Sequence, residues 1–108
     1  MLFTSSADRL GPPDVPPVHL GGVVYSQAED GRDVGAGQVG GVLVAADERT
    51  GERLWVLPVY ANPVDPALEA DVQWVYFAAM SVDADGRLRI VNEAGGTFLV
   101  DVRTRQVT

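Results

Sequence analysis

The chain reads as an all-β protein, a small antiparallel meander of about six strands with at most one short helical turn. Three observations carry that expectation. Val, Tyr, Trp and Phe gather in short stretches where residues alternate between two faces. Turn sequences rich in Asp and Gly punctuate those stretches. A Gly-Gly pair, an apolar strand and an Asp-x-Arg-Thr run also occur twice, from Gly40 and from Gly95. The meander is left open between a blade-like sheet, a barrel and a sandwich.

Residues 1–17 read as a Pro-rich arm, and 18–108 as a single β domain. The run GPPDVPP lacks several backbone donors and favours extended chain. Pro13 to Pro16 fits PxxP, a ligand pattern for aromatic-lined grooves, but a linker lying over a sheet edge explains the composition more simply.

The strands are expected at Leu20–Ser26, Gly41–Asp47, Arg53–Tyr60, Val72–Val82, Arg87–Asn92 and Thr97–Val102. In the second, alternation puts Val42, Val44 and Ala46 on one face and Leu43, Ala45 and Asp47 on the other. Asp47 to Gly51 reads as a hairpin turn, because Asp bonds the backbone ahead of it and Gly takes a positive φ. Pro58 marks an edge, a bulge or a strand end, since it cannot donate to a ladder. Asp65 to Glu69 fits one helical turn, with Asp65 as cap and Pro66 at the first position.

In the fourth strand, Trp74 and Tyr76 share a face with Val72, Ala78 and Met80, while Phe77 lies opposite with Val75 and Ala79. Both faces are apolar, which predicts a central strand buried twice. Asp83 to Gly86 and Glu93 to Gly96 are turns between strands.

The stretch AADERTGERLW, from Ala45, fits A-x-D-x-x-T-G-x-x-x-W with Ala45, Asp47, Thr50, Gly51 and Trp55 in place. It resembles the tryptophan-docking motif of quinoprotein-type β-propellers. The resemblance implies structural roles: Trp55 packing between sheets, and Asp47, Thr50 and Gly51 shaping the turn. The second copy has Arg105 where the first has Gly51. A closed propeller needs about four blades or more of four strands each, beyond this chain's length, so the likeness extends to a blade and not to a propeller. The family's cofactor site finds no counterpart, and no cofactor is expected.

In an antiparallel meander, alternate connections share an end. The loops Gln27–Gly40, Ala61–Asp71 and Glu93–Gly96 should therefore lie together. They bring Glu29, Asp30, Asp33, Asp65, Glu69, Asp71 and Glu93 to one acidic end, a candidate binding site. The plainer reading is a solvated acidic surface. Paired acids there would suit glycoside hydrolysis, though spacing along the chain does not fix their separation.

At 108 residues the chain is one domain, with net charge −7 and no lysine. That balance argues against nucleic acid and anionic membrane surfaces, which need clustered positive charge. The absence of cysteine excludes disulfides, thiolate catalysis and cysteine-ligated zinc. No apolar run approaches the roughly 20 residues that span a bilayer, and the N-terminus lacks the pattern of a secretory signal. A soluble, cytoplasmic protein is expected.

Other motifs fit structure better than chemistry. Gly35 to Gly40 matches G-x-G-x-x-G, yet it leads into a strand and not a helix. Asp83-Ala84-Asp85-Gly86 lacks the further acids of a calcium loop. His19, the single histidine, has no nucleophile elbow to serve. With neither catalytic nor metal-ligating residues assigned, the sequence favours a non-catalytic protein-interaction or scaffold module, with a protein partner or a homo-oligomer. A small-ligand binder or hydrolase using the acidic loop end is the alternative.

Overall fold

A computed structural model describes residues 13–63, 67 and 73–108. The chain folds as two four-stranded antiparallel sheets, each a simple meander. The first comprises β1 (Val18–Leu20), β2 (Val23–Gln27), β3 (Val42–Asp47) and β4 (Arg53–Pro58). The second comprises β5 (Phe77–Val82), β6 (Leu88–Asn92), β7 (Thr97–Asp101) and β8 (Gln106–Val107). One 3-10 turn, Gly31–Val34, lies between β2 and β3. The all-β meander is thus present, arranged as two sheets face to face and not as a closed barrel.

The strand expected at Leu20–Ser26 is the second half of a hairpin. Gly21 and Gly22 both take positive φ, 60° and 82°, and fold β1 back onto β2 in register Leu20↔Val23. β8 adds a further short strand after the last expected one. Pro58 closes β4, an edge strand, as its missing donor requires.

Two expectations are corrected at β5. The strand begins at Phe77, since Gln73 to Tyr76 form no part of it. It is an edge strand and not a central one, and Ala78, Ala79, Ser81 and Val82 are exposed. A register shift between Phe77 and Ala79 resets the alternation, so Phe77 falls on the face of Met80 and not on that of Ala79. The apolar run from Val72 reflects the burial of Tyr76 and Phe77 at the sheet's entry, not two covered faces. The helical turn expected at Asp65 to Glu69 lies outside the described residues, save Ala67.

One hydrophobic cluster joins the sheets. The first sheet contributes Tyr25, Leu43 and Ala45, and the second Phe77, Leu88, Ile90 and Val100. Trp55, Leu57, Met80, Phe98 and Val107 pack around them, as does Val15 from the Pro-rich segment. Tyr60, just past β4, stacks on Phe98 with ring centroids 4.9 Å apart and tilts against Phe77 at 6.2 Å. Burying such rings dominates the stabilisation of a small domain, at about 1.5–3 kcal/mol each for full burial.

The turns are built on carboxyl and amide side chains. Asp47 Oδ1 accepts from the backbone N–H groups of Arg49 and Thr50, at 2.8 and 3.0 Å. Asp101 Oδ1 does the same for Arg103 and Thr104, at 3.0 and 3.3 Å. Asp83 and Asn92 serve the other two turns of the second sheet.

Candidate functional site

The tandem Asp-x-Arg-Thr turns occupy equivalent places, each joining the third strand of a sheet to the fourth. In the first, Gly51 takes φ 78° and donates its N–H to Asp47 O at 2.8 Å. In the second, Arg105 takes φ 63° and donates to Asp101 O. The same fold is therefore made twice, once with the residue that adopts positive φ freely and once with one that does not. Backbone pairing Ala45↔Trp55 then Ala46↔Arg53 leaves Leu54 as a bulge residue. That extra residue turns Trp55 onto the inner face beside Ala45. Its ring lies 5.8 Å from that of Tyr25, and the Arg105 guanidinium sits 5.2 Å from its centroid.

The loops after β2, β4 and β6 do meet at one end. Gln38 Nε2 donates to Tyr60 O and Gly40 O, both at 2.8 Å. Asn62, itself buried, donates to Gln73 O at 3.0 Å and accepts from Val75 N–H at 2.9 Å. The Tyr60 hydroxyl donates to Val75 O at 2.6 Å, and burial pushes its ionisation well above the ordinary tyrosine value. Gly40 is packed so closely that a Cβ there would lie 2.6 Å from both Asn62 Oδ1 and Val75 O. Gln27 Oε1, reaching from the first sheet, accepts the Phe77 N–H of the second at 2.6 Å.

Among the described residues, the acids assigned to this end take separate places. Glu29 and Asp33 are exposed, flanking Asp30. Asp30 caps the 3-10 turn by accepting from Arg32 N–H at 2.9 Å, and pairs with the Arg32 guanidinium at 2.6 Å. That side-chain bond to Arg32 holds the Asp30 carboxyl below its ordinary range. Glu93 accepts the Tyr76 N–H at 3.1 Å, fixing the entry to β5. Asp65, Glu69 and Asp71 lie outside the described residues. Among the described residues, no three His, Asp or Glu side chains come together in a way that would hold a metal ion.

The loops instead frame a cleft of about 420 Å³, lined by Arg32, Gln38, Val39, Asn62, Pro63 and Trp74 among others. Gln38 and Asn62 were not assigned from the sequence, whereas Trp74 belongs to an aromatic cluster for which a ligand platform is the alternative to a buried strand. The first two carry no signal there because their role is to bond distant backbone groups. Elsewhere, His19 is exposed on β1, with Nδ1 3.1 Å from Glu48 Oε2.

A second feature lies on the sheet itself. Val24, Val44, Ala46 and Val56, each half-buried, lie on the opposite side of the first sheet from Tyr25 and Ala45, together with His19, Ser26, Arg53 and the fully buried Val42, which packs against Gly31. Leu54, at the bulge beside them, is 47% exposed. Among the described residues no helix is long and apolar enough to cross a membrane. No protein-family model, curated protein or solved structure matches the chain.

Proposed function

We propose that this chain is a non-catalytic interaction module whose working surface is the outer face of its first sheet. The observation that carries the reading is the row Val24, Val44, Ala46 and Val56, with exposed Leu54 beside it. Contiguous apolar side chains outside the core mark interaction surfaces. The edge strands β1, β4, β5 and β8 add unpaired backbone groups that favour association. The likeness to a propeller blade belongs to the same proposal. Each sheet is a four-stranded meander, as a blade is, and Trp55 fills the tryptophan position of the sequence motif. An acidic chain without cysteine suits the cytoplasm.

The test is recovery of the chain from the cells that express it, by size fractionation of their extract. Wild type should elute with partners, and Val44→Glu with Val56→Glu should elute alone while keeping the wild-type circular dichroism. Equal elution of both proteins at the monomer position would overturn the reading.

The cleft beside Trp74 supports a second reading, a small-ligand binder, because its volume falls in the range that suits such ligands. Trp74 fluorescence across a ligand library tests it. A saturable change, lost in Asn62→Ala and retained in Val44→Glu, would favour the cleft over the sheet face.

A further inference from the structure

The two sheets are repeats of one unit, yet they do not meet through the same face. Superposing their Asp turns sets Asp47 with Asp101, Ala46 with Val100, Ala45 with Leu99 and Val44 with Phe98. Cross-strand pairing extends the equivalence to the second strands. Val24 pairs with Ala46 as Leu88 pairs with Val100, and Tyr25 pairs with Ala45 as Arg89 pairs with Leu99. The first sheet enters the shared core through Tyr25, Leu43 and Ala45. The second enters it through Leu88, Ile90, Phe98 and Val100. Those are the counterparts of Val24, Ser26, Val44 and Ala46, which lie on the outer face of the first sheet.

The packing is therefore head to tail. One face of the unit meets the opposite face of the next, and each outer face occupies a position whose counterpart is already packed within the chain, with His19, Ser26, Arg53 and Arg89 standing where the packed faces have Val82, Ile90, Val107 and Tyr25. The outer face of the first sheet corresponds to the inner face of the second. The outer face of the second, with Ala79, Arg89, Val91 and Leu99, corresponds to the inner face of the first. A head-to-tail contact does not exhaust itself in one pair; it continues into a ring or a fibre.

We infer that the partner of the outer face of the first sheet is a second copy of this chain, which docks there with the outer face of its second sheet. The inference rests on the interaction reading above and adds the identity and orientation of the partner. The tryptophan resemblance is not needed for it, since the face assignment follows from the strand registers and the two Asp turns. Each copy carries a net charge of −7, so repulsion between copies is screened by salt and the apolar contact strengthens as ionic strength rises.

Cross-linking of single-cysteine variants tests the orientation, and the chain's lack of cysteine makes the chemistry specific. Val44→Cys and Leu99→Cys, each in the full chain, are mixed and treated with a short bismaleimide. Asp85→Cys, in the exposed β5–β6 turn, serves as the control. The expected result is a cross-linked dimer several-fold more abundant in the Val44→Cys and Leu99→Cys mixture than in either variant alone or in mixtures with the control. Two results would overturn the inference: Val44→Cys cross-linking to itself as readily as to Leu99→Cys, or the mixture remaining at the control level. If the mixture fails while Val44→Glu still strips a different protein from the native complex, the interaction reading stands and the second copy is the wrong partner.

Discussion

The guanidinium of Arg105 lies 5.2 Å from the ring centroid of Trp55, bringing the last hairpin of the second sheet onto the last strand of the first. Both residues sit where the regular pattern is broken. Trp55 follows the bulge at Leu54, and Arg105 holds a positive φ. The contact is worth about 0.5–1 kcal/mol at a partly exposed site, so it trims the geometry more than it sustains the fold.

Replacing Trp55 with Ala removes the ring that covers Tyr25 and Ala45, and should cost roughly 2–4 kcal/mol. Urea denaturation measures it. Trp55→Phe, which keeps an aromatic ring, should lose less than half as much. Equal stability of the Ala variant and wild type would remove the anchoring role.

At position 105 two variants separate strain from contact. Arg105→Ala loses the contact with Trp55 and keeps the strained φ, and should be destabilised by about 0.5–1 kcal/mol. Arg105→Gly loses the same contact but relieves roughly 1 kcal/mol of left-handed strain, and should match or exceed wild type. A thermal melt showing the Gly variant less stable than the Ala variant would contradict the strained turn.

Much of this was legible in the sequence. The Asp turns were, because a short carboxylate bonding the next backbone N–H groups is a local event written in adjacent residues. The alternation of Val42 to Asp47 was legible too, and so was the meeting of three loops at one end, which follows from antiparallel order. The edge position of β5 was not. Its apolar start serves the burial of Tyr76 and Phe77 beneath the loops, and a bulge then hands the strand to solvent. Gln38 and Asn62 were missed because they bond backbone groups many residues away, at Tyr60, Gln73 and Val75. Of the acids assigned to the loop end, Asp30 and Glu93 bond local groups, a role that composition alone does not disclose.

Gln27→Leu leaves the Phe77 N–H without its acceptor between the sheets. The cost should be about 1–3 kcal/mol, the penalty of an orphaned donor. Hydrogen exchange at the Phe77 amide should quicken markedly, while exchange at Val44 changes little. Unaltered protection of Phe77 would mean that this bond does not hold the sheets together.

Gly40→Ala places a methyl group against Val75 O, a backbone atom that cannot swing aside. Overpacking of this kind costs about 1–3 kcal/mol. The damage should be local to the loop end, read as faster exchange at Val75 with intact circular dichroism. A neutral substitution would show that the loops have room to spare.

Acid should unfold the protein through its turns. Backbone N–H groups, those of Thr50, Arg87 and Thr104 first, hold the carboxyls of Asp47, Asp83 and Asp101 below their ordinary range. Their folded values lie below their unfolded ones, so the unfolded chain takes up protons first as pH falls. The stabilisation is complete above the ordinary carboxylate range, near pH 4, and is lost as pH falls through the lower folded values. Asn at 47 and 101 keeps an oxygen acceptor and cannot titrate, so the double variant should show a flatter decline in urea midpoint between about pH 4 and pH 2. An unchanged slope would assign acid sensitivity to other groups.

Docking of a second copy on the outer face of the first sheet would give an assembly whose mass depends on concentration and salt. Light scattering on a sizing column, across a range of concentrations and at low and high salt, tests it most directly. Wild type should show a mass that is a multiple of 11.5 kDa and rises with salt, and the variant carrying Val44→Glu and Val56→Glu should return to a single chain. A wild-type mass of 11.5 kDa at every concentration and salt would contradict it.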